Sequence, residues 1–357
     1  MKTGRFVAAA TAAAIAASTA ALSVPTPAGA QEGPGTALLS GNFVGDSRDE
    51  IFEYTAGPAT DYLVSLTNNG NSGGEITSTE LTNHQVNGTY SPFVGNFDGD
   101  AFDEILWYAP GPTADFVWNF PAWTSHTSKP YTVNGYYEPV VGDYTGDHVD
   151  DILWYKAGTG ADSLWEYNAN GAYTAIPRTV NGSYTPISGS FGKDNTDDIF
   201  WYKEGTGPDS LWDYKVNTFN YTSIATPVNG FYEPLKVDIF NDGWRGEDIY
   251  WFSPSGPDSI FDYLLGTKFN AAFGNIDGAQ TAVAGDFLGD GHSDVFWFGE
   301  AGLTIWDYAP DFANGQIDLW EYLPVAPEAS GRSAAGPDTA VDGIGSATQV
   351  GTVDSHS

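Results

Sequence analysis

The amino-acid sequence predicts an all-β fold built from one unit that is repeated along the chain. Two segments are nearly the same: residues 140–167 read VVGDYTGDHVDDILWYKAGTGADSLWEY, and residues 187–214 read ISGSFGKDNTDDIFWYKEGTGPDSLWDY. Each unit is rich in Trp, Tyr, Val, Ile and Thr, which favour strands, and is interrupted by Asn-Gly, Gly-Pro or Gly-Thr-Gly turns. The units recur about every 47 residues, which indicates a modular architecture. They begin at Gly41, Gly95, Gly142, Gly189, Val237 and Gly285.

Four short strands fit into each unit. In the third unit we expect them near residues 136–144, 152–156, 163–167 and 173–180. The fourth strand is followed by Val-Asn-Gly, and Asn-Gly supplies the positive-φ positions of a tight turn. Six units of four strands predict a β-propeller with six four-stranded blades, with seven blades as the alternative. A β-solenoid is the rival fold, but its repeats are shorter and have no internal four-stranded meander.

The two ends of the chain differ from the repeats. Residues 1–30 combine an early Lys2 and Arg5, an alanine-rich apolar stretch and a final Ala28-Gly29-Ala30, which predicts a secretory signal peptide cleaved after Ala30. Residues 31–322 hold the predicted propeller. Residues 323–357 lack Phe, Tyr and Trp, so we expect a flexible tail.

Composition limits the partners. The chain has 46 acidic and 13 basic residues, and a surface of this charge repels nucleic acid and anionic lipid. We therefore expect no nucleic-acid partner. No stretch after residue 30 approaches the apolar length of a membrane helix, so we expect no membrane span. We expect a monomer whose partner is an extracellular protein or a glycan. The chain has no cysteine, so disulfides cannot stabilise the exported protein.

The aromatic residues fall into two groups. Tryptophans recur once per unit in the second and third strands, as at Trp154 and Trp165, and their regularity predicts packing between blades more than a ring of sugar-binding platforms. Trp123 and Trp244 have no counterpart in the other units and lie in or near loops. These two are the candidate ligand-binding residues.

Acidic loops between the first and second strands predict a cation site. Oxygen donors at positions 1, 3, 5 and 9, with a backbone carbonyl at 7, can surround Ca²⁺, which takes six to eight oxygens. The alternative is that these side chains cap turns by accepting backbone N–H groups. The loops at Asn42 and Ser190 lack a position-3 donor and are expected to be turns. The candidate ligands are Asn96, Asp98, Asp100 and Glu104; Asp143, Thr145, Asp147 and Asp151; and Asp286, Asp290 and Asp294.

The motif Asp-x-(Asp/Asn)-Gly-Asp, followed by (Asp/Glu)-Ile-(Leu/Phe)-Trp-Tyr and a Gly-Pro or Gly-Thr-Gly turn, resembles the FG-GAP/VCBS repeats of integrin α-subunits and exported bacterial proteins. The resemblance covers about residues 36–322. It implies propeller blades whose first loops bind calcium through the residues named above. Most of the loops depart from the family pattern by lacking glycine at position 6, as at Ala101 and His148.

The sequence supports three classes of function. The main hypothesis is a secreted, non-catalytic, calcium-binding propeller that presents an interaction or adhesion surface. The second is a carbohydrate-binding lectin, and the third is an extracellular polysaccharide hydrolase or lyase. Catalytic motifs such as a nucleophile elbow, a phosphate loop or His-Glu-x-x-His are absent from the sequence, which disfavours the third.

Overall fold

The structure is a computed structural model. It describes residues 36–45, 48–68, 76–100, 102–192, 194–239, 246–253, 256, 258–264, 268–274, 280–299, 302–311, 316–322 and 347–354. The predicted signal peptide at residues 1–30 lies outside the described residues. No helix in these ranges is long and apolar enough to cross a membrane.

The described strands form six antiparallel sheets, one for each repeat unit. The first three blades are β1 (Thr36–Gly41), β2 (Glu50–Thr55), β3 (Asp61–Asn68) and β4 (Ile76–His84); β5 (Ser91–Gly95), β6 (Glu104–Tyr108), β7 (Asp115–Ala122) and β8 (Ser125–Tyr131); and β9 (Glu138–Gly142), β10 (Asp151–Tyr155), β11 (Asp162–Tyr167) and β12 (Tyr173–Arg178). The next two are β13 (Thr185–Gly189), β14 (Asp198–Tyr202), β15 (Ser210–Tyr214) and β16 (Tyr221–Ala225); and β17 (Glu233–Val237), β18 (Asp248–Phe252), β19 (Asp258–Leu264) and β20 (Lys268–Gly274). The last sheet contains β21 (Gln280–Gly285), β22 (Asp294–Gly299), β23 (Gly302–Asp311), β24 (Gln316–Tyr322) and β25 (Ala347–Asp354).

The blades are arranged in a closed ring. Within each blade the strands pair in chain order, and the first strand of every blade contacts the first strands of both neighbouring blades. β21 contacts β1, so the last unit closes on the first. The chain is therefore a β-propeller, as the period and strand content predict, with the first strands lining its axis.

The strand count of the last blade differs from the prediction. Five blades have four strands, but the sixth repeat unit lies in a five-stranded sheet, so the expected count of six four-stranded blades is not what the structure shows. The added strand is β25, which pairs antiparallel with β24. It comes from residues 323–357, which were expected to form a flexible tail. β25 can pair there because the outer edge of β24 offers unpaired backbone N–H and C=O groups, which bind any segment that supplies matching ones.

The repeated tryptophans pack between blades, as predicted. Trp107, Trp154 and Trp251 are at most 1% exposed. The ring centroid of Trp154 lies 5.3 Å from that of Tyr108 in the preceding blade, and Trp251 lies 5.0 Å from Tyr202 in the same way. Large aromatic rings contribute most of the apolar area at such sheet-to-sheet contacts.

Buried aspartates at the start of the third strand explain the repeated Asp-Ser-Leu-Trp motif. Asp115 accepts N–H bonds from Ala109 at 2.8 Å and from Val133 at 2.7 Å. Asp61, Asp162 and Asp209 do the same in their own blades. Each carboxylate thus satisfies two amides in the turns at the end of its blade, where the strands alone leave them without partners.

A second set of side chains joins neighbouring blades around the axis. In each blade the residue just before the second strand accepts an N–H bond from the first loop of the preceding blade, and its own N–H donates to the carbonyl of that same loop residue. Asp49 bonds to Asp286 in this way, which ties the sixth blade to the first. The full set of accepting residues is Asp49, Asp103, Asp150, Asp197, Glu247 and Ser293.

These accepting residues surround an axial channel of about 470 Å³. Burial and the neighbouring carboxylates raise the pKa of Asp150 to about 7. Lys236 lies in the same channel with Nζ 2.8 Å from Glu247, and the surrounding carboxylates raise its pKa. The ammonium therefore offsets part of the negative charge along the axis.

Candidate functional site: an acidic loop and the adjoining inter-blade pocket

The loop at residues 96–104 brings three predicted ligands together. Oxygens of Asp98, Asp100 and Glu104 lie within 4.8 Å of one another, a spacing compatible with a single cation bound at 2.3 to 2.6 Å. Asn96 has another role, because its Oδ1 accepts the N–H of Gly99 at 2.7 Å. Glu104 is 2% exposed, and burial raises its pKa to about 8.

The loop at residues 143–151 is organised by backbone bonds. The Asp143 carboxylate accepts N–H groups from Gly146, Asp147 and His148 at 2.6 to 3.1 Å. Both oxygens of Asp151 accept backbone N–H groups as well. Thr145, predicted as a ligand through its hydroxyl, is 7% exposed. The turn-capping alternative accounts for Asp143, and these four residues do not form a carboxylate cluster like that of residues 98–104.

The loop at residues 286–294 has the same arrangement. The Asp286 carboxylate accepts N–H groups from Gly289, Asp290 and Gly291 at 2.7 to 3.0 Å. Asp290 accepts the N–H of His292, and Asp294 accepts that of Leu288. Among the residues that the structure describes, three carboxylates converge as a possible cation site at Asp98, Asp100 and Glu104.

A pocket of about 310 Å³ lies beside that cluster, between the second and third blades. One wall consists of Asp98 and Glu104, and the aromatic residues are Phe97, Tyr131 and Tyr167. Lys129, on β8, lies close to Gly171 in the turn between β11 and β12; a Cβ at Gly171 would be 2.5 Å from Lys129 Nζ. The pocket thus combines aromatic surface with charged and polar groups of both signs. Its remaining lining residues are Val117, Asn119, Thr127 and Ile152.

Two hydroxyl groups at this pocket have no hydrogen-bond partner within the described part of the chain. They are Tyr131 Oη and Tyr167 Oη, and both atoms are buried. Tyr167 as a whole is 3% exposed. Because a buried hydroxyl without a partner costs about 1–3 kcal/mol, a polar ligand that reaches these groups recovers free energy.

Asn119 links the acidic cluster to the pocket. Its Nδ2 donates to Glu104 Oε1 at 3.0 Å and to Asp98 Oδ2 at 3.3 Å. At the equivalent register position the third and fourth blades have Glu166 and Asp213. A neutral amide thus stands at a position that is acidic in the third and fourth blades.

The equivalent site of the next blade pair is occupied differently. Arg178, on the third blade, holds the register position of Tyr131, since it pairs with Asp162 as Tyr131 pairs with Asp115. Arg178 Nη2 donates to the carbonyl of Phe219 at 2.5 Å, so its side chain spans from the third blade to the fourth. In the second blade a tyrosine takes the place of this arginine.

The two tryptophans predicted to bind a ligand are not part of this pocket. Trp123 lies in the turn between β7 and β8 and is half-buried against the core shared by the first two blades. Its carbonyl oxygen is 3.4 Å from His84 Nε2. Trp123 therefore supports the blade, and Trp244 lies outside the described residues.

Sequence reasoning identified Asp98 and Glu104 but missed Asn119, Lys129, Tyr131 and Tyr167. The repeat itself contained a signal, because Asn119 stands where Glu166 and Asp213 stand in the aligned units. Asn119 lies within a strand, so a departure from the repeat in a strand, as well as one in a loop, can indicate a functional site. The closeness of Asn119 to the cation loop depends on strand pairing and could not be read from the sequence.

Comparisons with known proteins show the fold but not the family. No family model and no curated protein matches the chain, so the resemblance to FG-GAP/VCBS repeats stays a prediction. A solved structure that is similar is that of a lectin from Agrocybe aegerita, described as specifically recognising non-reducing terminal N-acetylglucosamine. The TM-score is 0.50 at 15% sequence identity, and the match covers 76% of this chain and 77% of the lectin. At this identity, the chain is similar to the lectin in fold alone.

Proposed function

We propose that the protein is a carbohydrate-binding β-propeller whose binding site is the pocket between the second and third blades. The observation that supports this best is the composition of that pocket, with Tyr131 and Tyr167 beside Lys129 and an acidic wall. Binding pockets of this kind pair apolar and aromatic surface with a few polar groups that fix the orientation of the ligand. A sugar presents both kinds of surface, because its C–H face packs on an aromatic ring while its hydroxyl groups form hydrogen bonds.

The similar lectin suggests the first ligand to test. N-acetylglucosamine is small enough for a pocket of about 310 Å³, and its hydroxyl and acetamide groups can pair with Lys129, Asn119 and the tyrosine hydroxyls. We expect a glycan that ends in N-acetylglucosamine to bind through its non-reducing end. The test is isothermal titration calorimetry with N-acetylglucosamine and with galactose as a comparison sugar.

Two substitutions locate the site. Tyr131→Ala and Lys129→Ala each remove a group from the pocket wall and should weaken sugar binding by about tenfold or more, or 1.4 kcal/mol. Tyr136→Ala is the matched control, because Tyr136 is an aromatic residue that is 66% exposed and lies outside the pocket. Equal binding by all three variants, or loss only in the control, would show that the sugar does not occupy this pocket.

We also propose that Asp98, Asp100 and Glu104 hold a calcium ion. The three carboxylates fit a hard cation in charge and spacing, and bound calcium would neutralise like charges that repel one another. At a calcium concentration a hundred times Kd, one site adds about 2.7 kcal/mol to the free energy of unfolding. A melting curve in calcium compared with chelator tests this, and Asp98→Ala combined with Asp100→Ala should remove the difference.

We propose that the chain is exported and that it binds without catalysis. The enzyme alternative has one observation in its favour, since Asp98 and Glu104 are two carboxylates in the wall of a pocket suited to sugar. Release of reducing ends from a panel of polysaccharides would establish an enzyme, and binding without product release would establish the lectin.

A further inference from the structure

Asn119 contacts the acidic cluster and also lines the pocket. Its Nδ2 donates to one oxygen of Asp98 and one of Glu104, two of the three carboxylates that converge in the loop. The same Asn119 lines the pocket, together with Asp98 and Glu104. The two proposed sites therefore share Asp98 and Glu104, and Asn119 contacts both of these residues.

The fourth blade shows what the equivalent position does beside a positive charge. There the loop acid Asp194 and the strand residue Asp213 correspond to Asp100 and Asn119. Lys215 Nζ pairs with Asp213 and lies 3.8 Å from Asp194, so an ammonium stands between the loop and the third strand. In the fourth repeat the Lys215 ammonium provides the positive charge between the loop and the third strand. In the second repeat the N–H groups of Asn119 lie beside the corresponding loop.

The Asn119 amide and a bound metal ion would interact with the same carboxylate oxygens, those of Asp98 and Glu104. The Asn119 N–H groups carry partial positive charge and point at Asp98 Oδ2 and Glu104 Oε1. A divalent cation bound by Asp98 Oδ2 and Glu104 Oε1 places its charge close to those hydrogens and weakens both hydrogen bonds. An amide that turns away from the ion then presents its Nδ2 group to a ligand in the pocket.

We infer that Asn119 couples the cation cluster to the pocket, so that calcium strengthens sugar binding by releasing the Asn119 amide. The inference rests on the proposed sugar-binding function for one of its two consequences. The other consequence concerns calcium alone: Asn119 competes with the ion for Asp98 and Glu104. By linkage, the sugar must then strengthen calcium binding by the same factor.

The first experiment uses the folded chain and calcium chloride with no sugar present. Asn119→Asp places a carboxylate where the third and fourth blades have one, and should tighten calcium binding in titration calorimetry by about tenfold because affinity follows the number of charged ligands. Asn119→Ala removes the competing N–H donors and should bind calcium more tightly than the wild type. Ser65→Ala, at the equivalent position of the first blade, is the matched control and should bind as the wild type does. Calcium binding by Asn119→Ala that is no tighter than that of the wild type would overturn the competition.

The second experiment adds N-acetylglucosamine in calcium or in chelator. We expect the wild type and Ser65→Ala to bind the sugar about fivefold or more tightly in calcium, a coupling of about 1 kcal/mol. Asn119→Ala should bind with one affinity in both conditions. An unchanged calcium effect in Asn119→Ala, or a wild type that is indifferent to calcium while it binds the ion, would overturn the coupling and leave the sugar-binding proposal standing. No sugar binding in either condition would overturn the proposed function, and the calcium titrations would still decide whether Asn119 competes with the ion.

Discussion

Replacement of Asp115 by alanine tests whether the buried aspartate of the repeated motif holds each blade together. Asp115 is 1% exposed and accepts N–H bonds from Ala109 and Val133. Each buried amide left without an acceptor costs about 1–3 kcal/mol, so two amides give about 2–6 kcal/mol. Burial raises the pKa of Asp115, because the ionised carboxylate is less stable in the core than in water. Removing the carboxylate also removes this unfavourable contribution, so we expect a loss in the lower half of that range.

We therefore expect Asp115→Ala to lower the free energy of unfolding by about 3 kcal/mol, or Tm by about 6 °C at about 2 °C per kcal/mol for a chain of this size. Asp115→Asn keeps one acceptor and should lose about half as much. The measurement is urea denaturation and scanning calorimetry in the presence of chelator.

The control is Asp147→Ala. Asp147 is an exposed acid that accepts a single N–H bond, from Val149 at 3.1 Å. Its loss should cost less than about 0.5 kcal/mol, the usual range for surface substitutions. If Asp115→Ala is as stable as the wild type, or Asp147→Ala loses as much as Asp115→Ala, the buried carboxylate is not what holds the two turns.

Three further predictions follow from other buried groups. Burial raises the pKa of Asp61 to about 6 and that of Glu138 to about 7, so the folded state binds protons more tightly than the unfolded state. Tm should therefore rise as the pH falls from about 8 to about 5, and a Tm that falls over this interval contradicts the reasoning. Lys236→Met removes the ammonium beside Glu247 and should lower Tm more at pH about 8 than at pH about 5, where the axial carboxylates take up protons, and an equal loss at both pH values would count against it. Tyr155→Phe removes a hydroxyl that donates to Gly182 O and accepts from Tyr184 N, so calorimetry should show that the free energy of unfolding falls by about 1–3 kcal/mol. An unchanged free energy of unfolding would show that these two bonds do not stabilise the blade.

The acidic composition has more than one cause, and the structure separates them. Sequence reasoning assigned the carboxylates to calcium or to turn capping. Glu104 and Asp151 accept backbone N–H groups of their own loops, as the turn-capping alternative predicts. Asp115 accepts N–H groups from two turns of one blade, and Asp103 and Asp150 join neighbouring blades. These roles were hidden because adjacent acids in the motif Asp-Asp-Ile look equivalent in sequence, yet successive side chains of a strand point in opposite directions.

The sequence alone determined the all-β class, the period, the second and third strands of each blade and the packing role of the repeated tryptophans. Strand propensity, turn chemistry and repetition are local properties, so they can be read without knowing which segments meet. The tertiary structure decided that β25 adds a strand to the last blade, that Trp123 packs against the core, and that Asn119 lies between an acidic loop and a pocket. It also decided that Tyr131 lines a pocket between the second and third blades, whereas Arg178 reaches from the third blade to the fourth. Each of these outcomes depends on contacts between residues distant in the chain, whose side chains are brought together only when the blades close into a ring.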